Sequence, residues 1–446
     1  MQRASFGRFS KSSSIGFCSL RAFHYYPAHN SFINHDICKK NKTLNSNYDI
    51  VIIGGGAAGF FTAINIVENN PSLKVAILER GKTTLEKVRI SGGGRCNVTH
   101  ACFVPNDIVK FYPRGEKELR GPFHQFCSGD TIEWFEKHGV TLKIEEDGRM
   151  FPESDSSETI IDCFTKATQD LGIDILISQS VQSIYKTETD FKVQTKTDTF
   201  LAEKVVITTG SNPKMWEMLE SLGHSIVSAV PSLFTFNIKD ARLKDLMGLS
   251  TFASVKVKKS KLEASGPLLI THWGMSGPGI LRLSAWGARE LFDKNYHFAI
   301  LVNWLNEATF EEAIDLLKDI KLENAKKVIS KKSPIEMPNR LWERLVLASG
   351  ISAETTWADC NKTELNALAN QLTAGEFQVN GKSTFKEEFV TAGGIDLKEV
   401  NFKTMESKVI PNIYFAGEIL NIDAITGGFN FQNAWTGGFI VAQSIA

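Results

Sequence analysis

The sequence predicts an α/β fold in which a domain built on a parallel β-sheet is interrupted by an inserted β-barrel-like domain with a nested helical subdomain. Three observations lead to this prediction. First, a strand, a glycine turn, a helix and a second strand follow one another at residues 48–80. Second, residues 211–386 contain short strand-like runs and then helical stretches. Third, strands that end in glycines return after residue 387. Alternation of strands and helices is typical of a parallel sheet.

The first segment has the order of a dinucleotide-binding unit. A β-branched run leads into Gly54-x-Gly56-x-x-Gly59, an apolar helical pattern follows, and a second β-type run ends in Glu79, 20 positions after the last glycine. The first glycine permits a tight turn, the second lets the backbone approach a pyrophosphate, and the third lets helix and strand pack closely, while the acid meets ribose hydroxyls. The helix N-terminus adds free N–H groups and partial positive charge. We therefore expect FAD or NAD to bind here.

A membrane span is the alternative interpretation, because residues 50–67 are largely apolar and Gly55 and Gly59 have the spacing of a helix-dimerisation motif. Three consecutive glycines would weaken a spanning helix, and Asp49 and Glu68 fit badly in hydrocarbon. The rest of the chain contains no segment with the length and apolarity of a span. We expect no membrane partner.

The chain of 446 residues is neutral, with a composition typical of a soluble enzyme of two or three domains. Residues 1–46 hold seven basic residues against one acidic residue, a net charge of +6, so the other 400 residues carry −6. This serine-rich leader predicts a transit peptide to the mitochondrial matrix, or to the plastid in a photosynthetic organism, and a disordered basic tail is the alternative. The acidic remainder argues against a nucleic-acid partner.

The seven cysteines form no CxxC pair and no zinc-like spacing, which indicates reduced thiols and no metal. One of them, Cys96, lies in a second glycine-rich segment, SGGGRCN at Ser91 to Asn97. Consecutive N–H groups in such a loop can form an anion-binding nest, to which Arg95 adds a fixed positive charge. A flexible loop is the alternative. A catalytic thiol is disfavoured, because no second cysteine and no evident base lie nearby.

The predicted elements between the terminal motifs divide the chain. Helices are expected at 130–138 and 157–171, strands at 173–178, 181–186, 191–195 and 204–210, further short strands at 234–238, 254–258, 268–271 and 299–304, mostly helix at 310–368, and a return strand at 372–379. The predicted domains are therefore a nucleotide-binding domain at 47–210 and 387–446, a barrel-like domain at 211–306 and 371–386, and a helical subdomain at 307–370.

The C-terminal segment favours FAD over NAD. A β-run that ends in Ala416-Gly417-Glu418 is typical of a flavin domain, where the acid accepts hydrogen bonds from the ribityl chain. The following Gly427-Gly428 opens a predicted helix at 433–446, whose N-terminus would stabilise the anionic reduced flavin at its N1/O2 edge. A glycine-rich helix with a purely structural role is the alternative.

Together these motifs resemble the BaiN/RdsA-type NAD(P)/FAD-dependent oxidoreductases, a mainly bacterial group also known as aminoacetone-oxidase-like flavoproteins. The resemblance covers residue 48 to the end and rests on the glycine turn, Lys87 with SGGGRCN, LLITHWGMSGPGILRLS from Leu268, VTAGGI, and YFAGEIL with TGGFNFQNAW. It implies a glutathione-reductase-type FAD domain split by the inserted domain. His100, Asn421 and Ala424 depart from the usual residues of the family, so it implies non-covalent FAD but no particular substrate.

The resemblance also implies which residues hold FAD. The glycine turn and the acid are expected at the ADP half, Ser91 to Asn97 at the pyrophosphate and flavin, Val181 at the adenine, and the C-terminal motifs at the ribityl chain and isoalloxazine. The expected FAD-binding residues are Gly54, Gly56, Ala57, Ala58, Gly59, Glu79, Arg80, Ser91, Gly92, Gly93, Gly94, Arg95, Cys96, Asn97, Val181, Thr209, Gly210, Gly417, Glu418, Gly428, Phe429 and Asn430.

The predicted function is an FAD-dependent oxidoreductase that exchanges a hydride with a small organic substrate, with NAD(P)H as a candidate transient reductant. The alternatives are an oxidase that passes electrons from an amine-type substrate to O₂, a folate/FAD-dependent RNA-modifying protein, and an idle flavoprotein that only binds. His272 is the predicted catalytic group, because an imidazole exchanges protons near neutral pH and Gly274 and Gly277 allow close backbone approach. A capping role in a turn is the alternative for His272. The sequence does not predict an oligomeric state.

Overall fold

The computed structural model describes residues 45–383 and 390–446. All but the last two residues of the predicted transit peptide, 1–46, lie outside these ranges, as do residues 384–386 at the end of the predicted barrel-like domain. Within the described ranges, no helix has the length and apolarity needed to cross a membrane.

The described strands, in chain order, form four sheets. They are β1 Asn45–Ile53, β2 Val75–Leu78, β3 Thr99–His100, β4 Leu142–Ile144, β5 Arg149–Pro152, β6 Asp174–Leu176, β7 Val181–Lys186, β8 Phe191–Thr195, β9 Thr199–Ile207, β10 Ile226–Ser232, β11 Thr235–Asn237, β12 Ser250–Val257, β13 Glu263–Ile270, β14 Gly274–Ser276, β15 His297–Asn303, β16 Gly375–Asn380, β17 Lys382–Ser383, β18 Val390–Ile395, β19 Val400–Asn401, β20 Glu406–Ser407 and β21 Ile413–Phe415.

The described α-helices are α1 Ala57–Asn69, α2 Glu86–Gly94, α3 Pro105–Ile108, α4 Glu116–Phe123, α5 Ser128–Lys137, α6 Ser157–Asp170, α7 Pro213–Ser221, α8 Pro278–Trp286, α9 Ala288–Asp293, α10 Phe310–Glu323, α11 Asn339–Ala348, α12 Lys362–Ala374 and α13 Phe429–Ile445. Single turns of 3₁₀ helix lie at Val109–Phe111, Ala241–Leu243 and Leu397–Glu399.

The largest sheet has a parallel centre, as the sequence predicted. Strand β1 pairs in parallel with β2 on one side and with β9 on the other, and β21 pairs in parallel with β9. Ile50 to Ile53 of β1 are almost completely buried, as expected for a central strand covered on both faces. Helix α13 crosses α1 closely because Gly438 lies opposite Thr62, where a Cβ would come within 2.7 Å of the threonine Oγ1. The α/β fold class is confirmed.

A second sheet and a second hydrophobic core occupy the middle of the chain. The order of this antiparallel sheet is β16-β15-β12-β13-β14-β11-β17, and α10, α11 and α12 share its core. The two strands at the ends of the order follow one another in the chain, separated only by Gly381. This arrangement fits a barrel-like domain, although closure of a barrel and the predicted domain boundaries stay predictions.

The two halves of the molecule are joined by an antiparallel ribbon of β10 and β18. The VTAGGI motif lies in β18. Its two glycines have positive φ, and a Cβ at Gly393 would come within 2.6 Å of Ala229 Cα, so only glycine fits this close approach. Arg289 donates hydrogen bonds to carbonyl oxygens on both strands of the ribbon, those of Ser228 and Ala392.

A buried ion pair fixes the ribbon against the first domain. Asp423 is fully buried and pairs with Arg114, and the hydroxyl of Ser232, at the end of β10, donates to the same carboxylate at 2.8 Å. Arg114 also donates to the carbonyl oxygen of Ala285 in α8 at 2.6 Å. A buried charge needs such partners, and their positions tie three segments together.

Most predicted elements are observed with shifts at their boundaries, and several short helices and strands were not predicted. Strands β7 and β8 begin and end where the sequence predicted. The return strand begins at Gly375 rather than at 372, because α12 continues through Leu372, which is buried in the core of the second sheet. The last helix begins at Phe429 rather than at 433, since Gly428 takes the left-handed conformation of its N-cap. Helix α8 was not predicted.

Candidate active site

The glycine turn shows which of its residues are structural. A Cβ on Gly54, whose φ is +118°, would lie 2.6 Å from the carbonyl oxygen of Thr208, and a Cβ on Gly59 would overlap the carbonyl oxygen of Gly54. Gly56 differs, because a Cβ there would meet nothing within 4 Å and would point into open space. Gly56 is the N-cap of α1 and has no capping side chain, so the first N–H groups of the helix remain available to a ligand.

Glu79 closes this turn. Its Oε2 accepts a hydrogen bond from the N–H of Gly55 at 2.9 Å, and its Oε1 accepts one from Gly81 at 2.6 Å. Each carboxylate oxygen keeps further acceptor capacity toward the cavity that Glu79 lines. Its predicted contact with ribose hydroxyls stays a prediction, and the structure adds a role in holding the backbone.

The SGGGRCN segment begins at the end of α2, where Ser91, Gly92 and Gly93 leave helical geometry. Gly92, Gly93, Gly94 and Cys96 all have positive φ. The Asn97 amide, in the orientation that satisfies its hydrogen bonds, accepts from the N–H of Gly428 at 3.0 Å and donates to the carbonyl oxygen of Thr99 at 3.0 Å. The predicted nest therefore connects directly to the N-terminus of α13.

Two predictions for this loop need correction. Arg95 does not line the cavity: its guanidinium pairs with Glu145 at 2.6 Å and with Asp155, and it lies 3.9 Å from the ring centre of Phe151. Cys96 is completely buried, and burial raises the pKa of its thiol to about 12. Arg95 and Cys96 therefore hold the loop in shape and do not face a bound ligand. Gly94 also lies outside the cavity lining.

The C-terminal motif meets the first domain at the same place. Gly417, with a φ of +77°, lies beside Ala58 of α1, where a Cβ would approach the alanine methyl to 3.2 Å. Glu418 pairs with Lys87 at 2.5 Å across the cavity lining. Asn430 accepts a hydrogen bond from the N–H of Ala424 at 3.0 Å, which fixes the loop before α13.

One cavity of about 1890 Å³ brings most predicted residues together. Of the 22 expected FAD-binding residues, 18 line it, and Gly59 supports it from behind by packing on Gly54. The lining members are Gly54, Gly56, Ala57, Ala58, Glu79, Arg80, Ser91, Gly92, Gly93, Asn97, Val181, Thr209, Gly210, Gly417, Glu418, Gly428, Phe429 and Asn430. Residues this far apart in sequence converge because the parallel strands end at one edge of the sheet.

The residues present fit FAD. Gly56 leaves open space where a pyrophosphate must approach, the N-termini of α1 and α13 both reach the cavity, and the hydroxyl oxygen Oγ1 of Thr209 is buried there without a partner in the described residues. An unpartnered buried hydroxyl is costly unless a ligand satisfies it.

An aromatic stack, which sequence reasoning missed, forms another wall. The ring of Phe429 packs against those of His100, at 4.6 Å, and Phe111, at 4.4 Å, and the His100 and Phe111 rings are themselves 5.9 Å apart, so the three rings form a cluster. All three residues line the cavity. Burial lowers the pKa of His100, so its imidazole is neutral at pH 7. Phe429 was among the expected FAD-binding residues, and the departure of His100 from the family pattern was a second sequence signal, whereas Phe111 had none.

The second sheet supplies the opposite wall. Thr235, Ser276 and Ser383 line the cavity, and the hydroxyl of Thr235 donates to that of Ser276 at 2.8 Å. Arg282 of α8 lines it as well. His272 does not: it is exposed at the tip of the β13–β14 hairpin and lies outside the cavity lining, so the predicted catalytic position is corrected. No cluster of metal-binding side chains occurs in the described residues.

Comparison with known proteins identifies the family. The model described as HI0933-like protein Rossmann domain matches residues 48–444. The chain belongs to this family. It is 28% identical over 408 residues to a protein of Escherichia coli (strain K12) named ribosomal RNA dihydrouridine synthase, with coverage of 89% of this chain and 98% of that protein. It is also 24% identical over 420 residues to the 3-dehydro-bile acid delta(4,6)-reductase of Clostridium scindens, with the same coverage.

Family membership confirms the resemblance drawn from the motifs, and the protein is an FAD-dependent oxidoreductase. A solved structure of 3-ketosteroid-delta4-(5alpha)-dehydrogenase from Rhodococcus jostii RHA1 matches at 12% identity with a TM-score of 0.49, covering 91% of this chain and 99% of that one.

Proposed function

We propose that this protein reduces a carbon–carbon double bond conjugated with a carbonyl group in a flat substrate. The observation that carries the proposal is the cavity, whose volume of about 1890 Å³ exceeds the roughly 300–1,000 Å³ of a pocket for one drug-sized ligand. It runs from the nucleotide turn to the hydroxyl-bearing wall of the second sheet. It therefore has room for a dinucleotide and a second molecule.

The names of the relatives support the class of reaction. Dihydrouridine is uridine with its ring double bond saturated, and a delta(4,6)-reductase of a 3-dehydro bile acid saturates a double bond in a ring ketone. In both substrates the reducible bond is conjugated with a carbonyl group, so the reacting part of each molecule is planar. A reaction shared by two diverged relatives is the best supported one for this chain.

The residues that line the cavity have different roles in the proposed reaction. Bound FAD supplies a hydride in its reduced form. The turn at Gly54 to Gly59 and the N-terminus of α1 hold the phosphates, and the link from Asn97 to Gly428 orients the ring-binding loop. The stacked rings of Phe111 and Phe429 exclude water and match a flat substrate or cofactor ring.

The test is an anaerobic reoxidation experiment. Purified protein should be yellow and should release intact FAD in acid, since no covalent attachment motif is present in the sequence. Photoreduced enzyme mixed with 2-cyclohexen-1-one or uridine should recover its yellow colour and form the saturated product. Reoxidation by O₂ alone, together with reduction by an amine, would instead establish the oxidase alternative.

We also propose that NAD(P)H is the transient reductant. The cavity has room for a second molecule beside the flavin, and the sequence contains a single nucleotide-binding fingerprint. Anaerobic mixing with NADH and with NADPH should bleach the flavin with at least one of them. Failure of both would assign the reductant to another class of donor.

A uridine in RNA is a second candidate substrate, favoured by charge on the second sheet. Residues 47–446 carry a net charge of −6, but they include a basic region, because residues 239–261 carry seven basic and two acidic side chains. Residues 326–344 carry six basic and two acidic side chains. The two segments meet where Arg340 donates a hydrogen bond to the carbonyl oxygen of Asp245 at 3.3 Å. The exposed rings of Phe252, in β12, and Trp273, in the turn between β13 and β14, offer stacking surfaces on the second domain.

RNA binding is tested by charge reversal. The double variant Lys259→Glu and Lys261→Glu should weaken filter binding to ribosomal RNA and reduce its salt dependence. Lys166→Glu, on the exposed face of α6, is the matched control. Equal affinity for RNA in the double variant and the control would remove this candidate and restore the sequence-based expectation of no nucleic-acid partner.

We propose, from composition alone, that residues 1–46 direct the protein to the mitochondrial matrix, or to the plastid in a photosynthetic organism. A fusion of residues 1–50 to a fluorescent protein tests this. A diffuse cytosolic signal would refute it.

A further inference from the structure

The THWGMSGPG motif places α8 rather than a histidine at the cavity. Gly277 has a φ of +92°, and a Cβ there would lie 2.7 Å from the carbonyl oxygen of Pro267. Gly279 lies against Gly266 of β13, where a Cβ on either residue would meet the backbone of the other at about 3.3 Å. These contacts require glycine and fix where α8 begins. The motif therefore determines which α8 side chains reach the cavity, and these are Pro278, Leu281 and Arg282.

Arg282 carries an unmatched charge. Two of the cations that line the cavity have acidic partners in the part of the chain that the structure describes: Lys87 pairs with Glu418 at 2.5 Å, and Arg149 pairs with Asp147 at 2.8 Å. Arg80 and Lys214 have none there, but they belong to the first domain, and Arg282 is the cation that the second domain contributes. No hydrogen bond or ion pair to Arg282 is found within the described residues. Its guanidinium is exposed and lines the cavity. A fixed positive charge is thus available to a ligand.

The hydroxyl wall is tied to the same helix. Ser284 of α8 accepts a hydrogen bond from the N–H of Phe234 at 2.9 Å, and the next residue, Thr235, donates its hydroxyl to Ser276 at 2.8 Å. The helix that bears Arg282 and the strand that bears Thr235 are therefore held together. The guanidinium and the two hydroxyl groups line one wall of the cavity.

We propose that Arg282 binds the carbonyl or carboxylate oxygen of a flat substrate. This role deepens the proposed function and rests on it. When a hydride adds to the β-carbon of the conjugated system, a C–H bond forms, the π pair of the double bond moves toward the carbonyl, and an enolate oxygen becomes negative. The enolate then takes a proton from water at its α-carbon, which leaves the saturated product and hydroxide. A planar guanidinium stabilises such an oxygen with two parallel hydrogen bonds.

Benzoate is the probe for this subsite, because it is a flat ring with a fixed oxyanion. The holoenzyme is titrated with benzoate, and with benzamide as a neutral control of the same shape, and binding is followed by the shift of the flavin absorption spectrum. Arg282→Gln should raise the benzoate Kd about 10- to 100-fold, the loss expected for a charge-assisted hydrogen bond, and should change the benzamide Kd much less. Arg282→Lys should fall between, since it keeps the charge without the fork.

Arg120→Gln is the matched control, because Arg120 is exposed and lies outside the cavity lining. FAD content and far-UV circular dichroism should be equal in all variants. An unchanged benzoate Kd in Arg282→Gln, or no benzoate binding by the unaltered enzyme, would overturn the proposal. These outcomes are independent of turnover, so a failure of enone reduction would refute the proposed function while the benzoate titration still decides the role of Arg282.

Discussion

Replacement of Gly56 by alanine should separate cofactor binding from folding. The backbone of Gly56 has a φ of −97°, which any L-residue adopts, and a Cβ there meets nothing within 4 Å. The apoprotein should therefore fold normally, and its free energy of unfolding should change by less than about 1 kcal/mol, because the reduced freedom of the unfolded chain is offset by the poorer fit of alanine at the N-cap of α1. The methyl group nevertheless occupies the space through which a pyrophosphate approaches the N-terminus of α1.

The expected loss of affinity follows from the contacts that this methyl blocks. Displacing a phosphate from one N–H group removes a charge-assisted hydrogen bond of about 1.5–3 kcal/mol, which raises the Kd for FAD about 10- to 100-fold. Gly59→Ala is the matched contrast. Its Cβ would overlap the carbonyl oxygen of Gly54 and approach Thr208 Oγ1 to 2.9 Å, so overpacking should cost about 1–3 kcal/mol or more of folding free energy.

Two measurements on each apoprotein decide between these effects. Urea titration gives the free energy of unfolding, and quenching of FAD fluorescence gives the Kd. Gly56→Ala should lose affinity at full stability, and Gly59→Ala should lose stability. Unchanged FAD affinity in Gly56→Ala would refute the assignment of Gly56 to the phosphate approach.

Three further predictions follow from the site and its surroundings. His272→Gln should retain FAD, enone-driven reoxidation and stability to within about 0.5 kcal/mol, because His272 is exposed outside the cavity; slower reoxidation would return it to the active site. Native Cys96 should resist iodoacetamide at pH 8 and react after unfolding, as mass spectrometry would show, since burial raises its pKa to about 12. Glu68→Gln should lower the free energy of unfolding at pH 7 by about 0.5–1.5 kcal/mol. The hydrogen bond with His138 lowers the pKa of Glu68 below 4.5, so this stability is present above that pH and is lost as the pH falls through the lowered pKa; a deficit in urea titrations that does not shrink as the solution is made progressively more acidic would contradict this.

The nucleotide-binding half could be predicted because its signals are local. A turn such as Gly54 to Gly59 needs particular residues at fixed spacing whatever surrounds it, so the pattern in sequence and the geometry in space coincide. The same holds for β7 and β8, whose alternation reports a local pairing. The distances from Gly54 to Thr208 and from Gly428 to Thr99 then explain why glycine is required at those positions.

The substrate-facing wall could not be predicted, because it depends on which face of a helix turns toward the cavity. His272 and Arg282 lie ten positions apart in one motif, and composition favoured the histidine. The close approach of Gly266 and Gly279 places α8 beside the cavity, so that Arg282 reaches the cavity and His272 does not. These two glycines are thirteen positions apart in the sequence and meet only through tertiary packing. The prediction that Arg95 faces the ligand failed for the same reason, because its ion-pair partners Glu145 and Asp155 are distant in sequence.

The ribbon of β10 and β18 brings the two ends of the middle segment together, with Ser232 directly opposite Val390. A segment that leaves and re-enters a fold at adjacent points can be exchanged without rethreading the strands around it. Descendants of one ancestor could then acquire a new substrate-facing wall in a single recombination event while keeping the nucleotide turn intact.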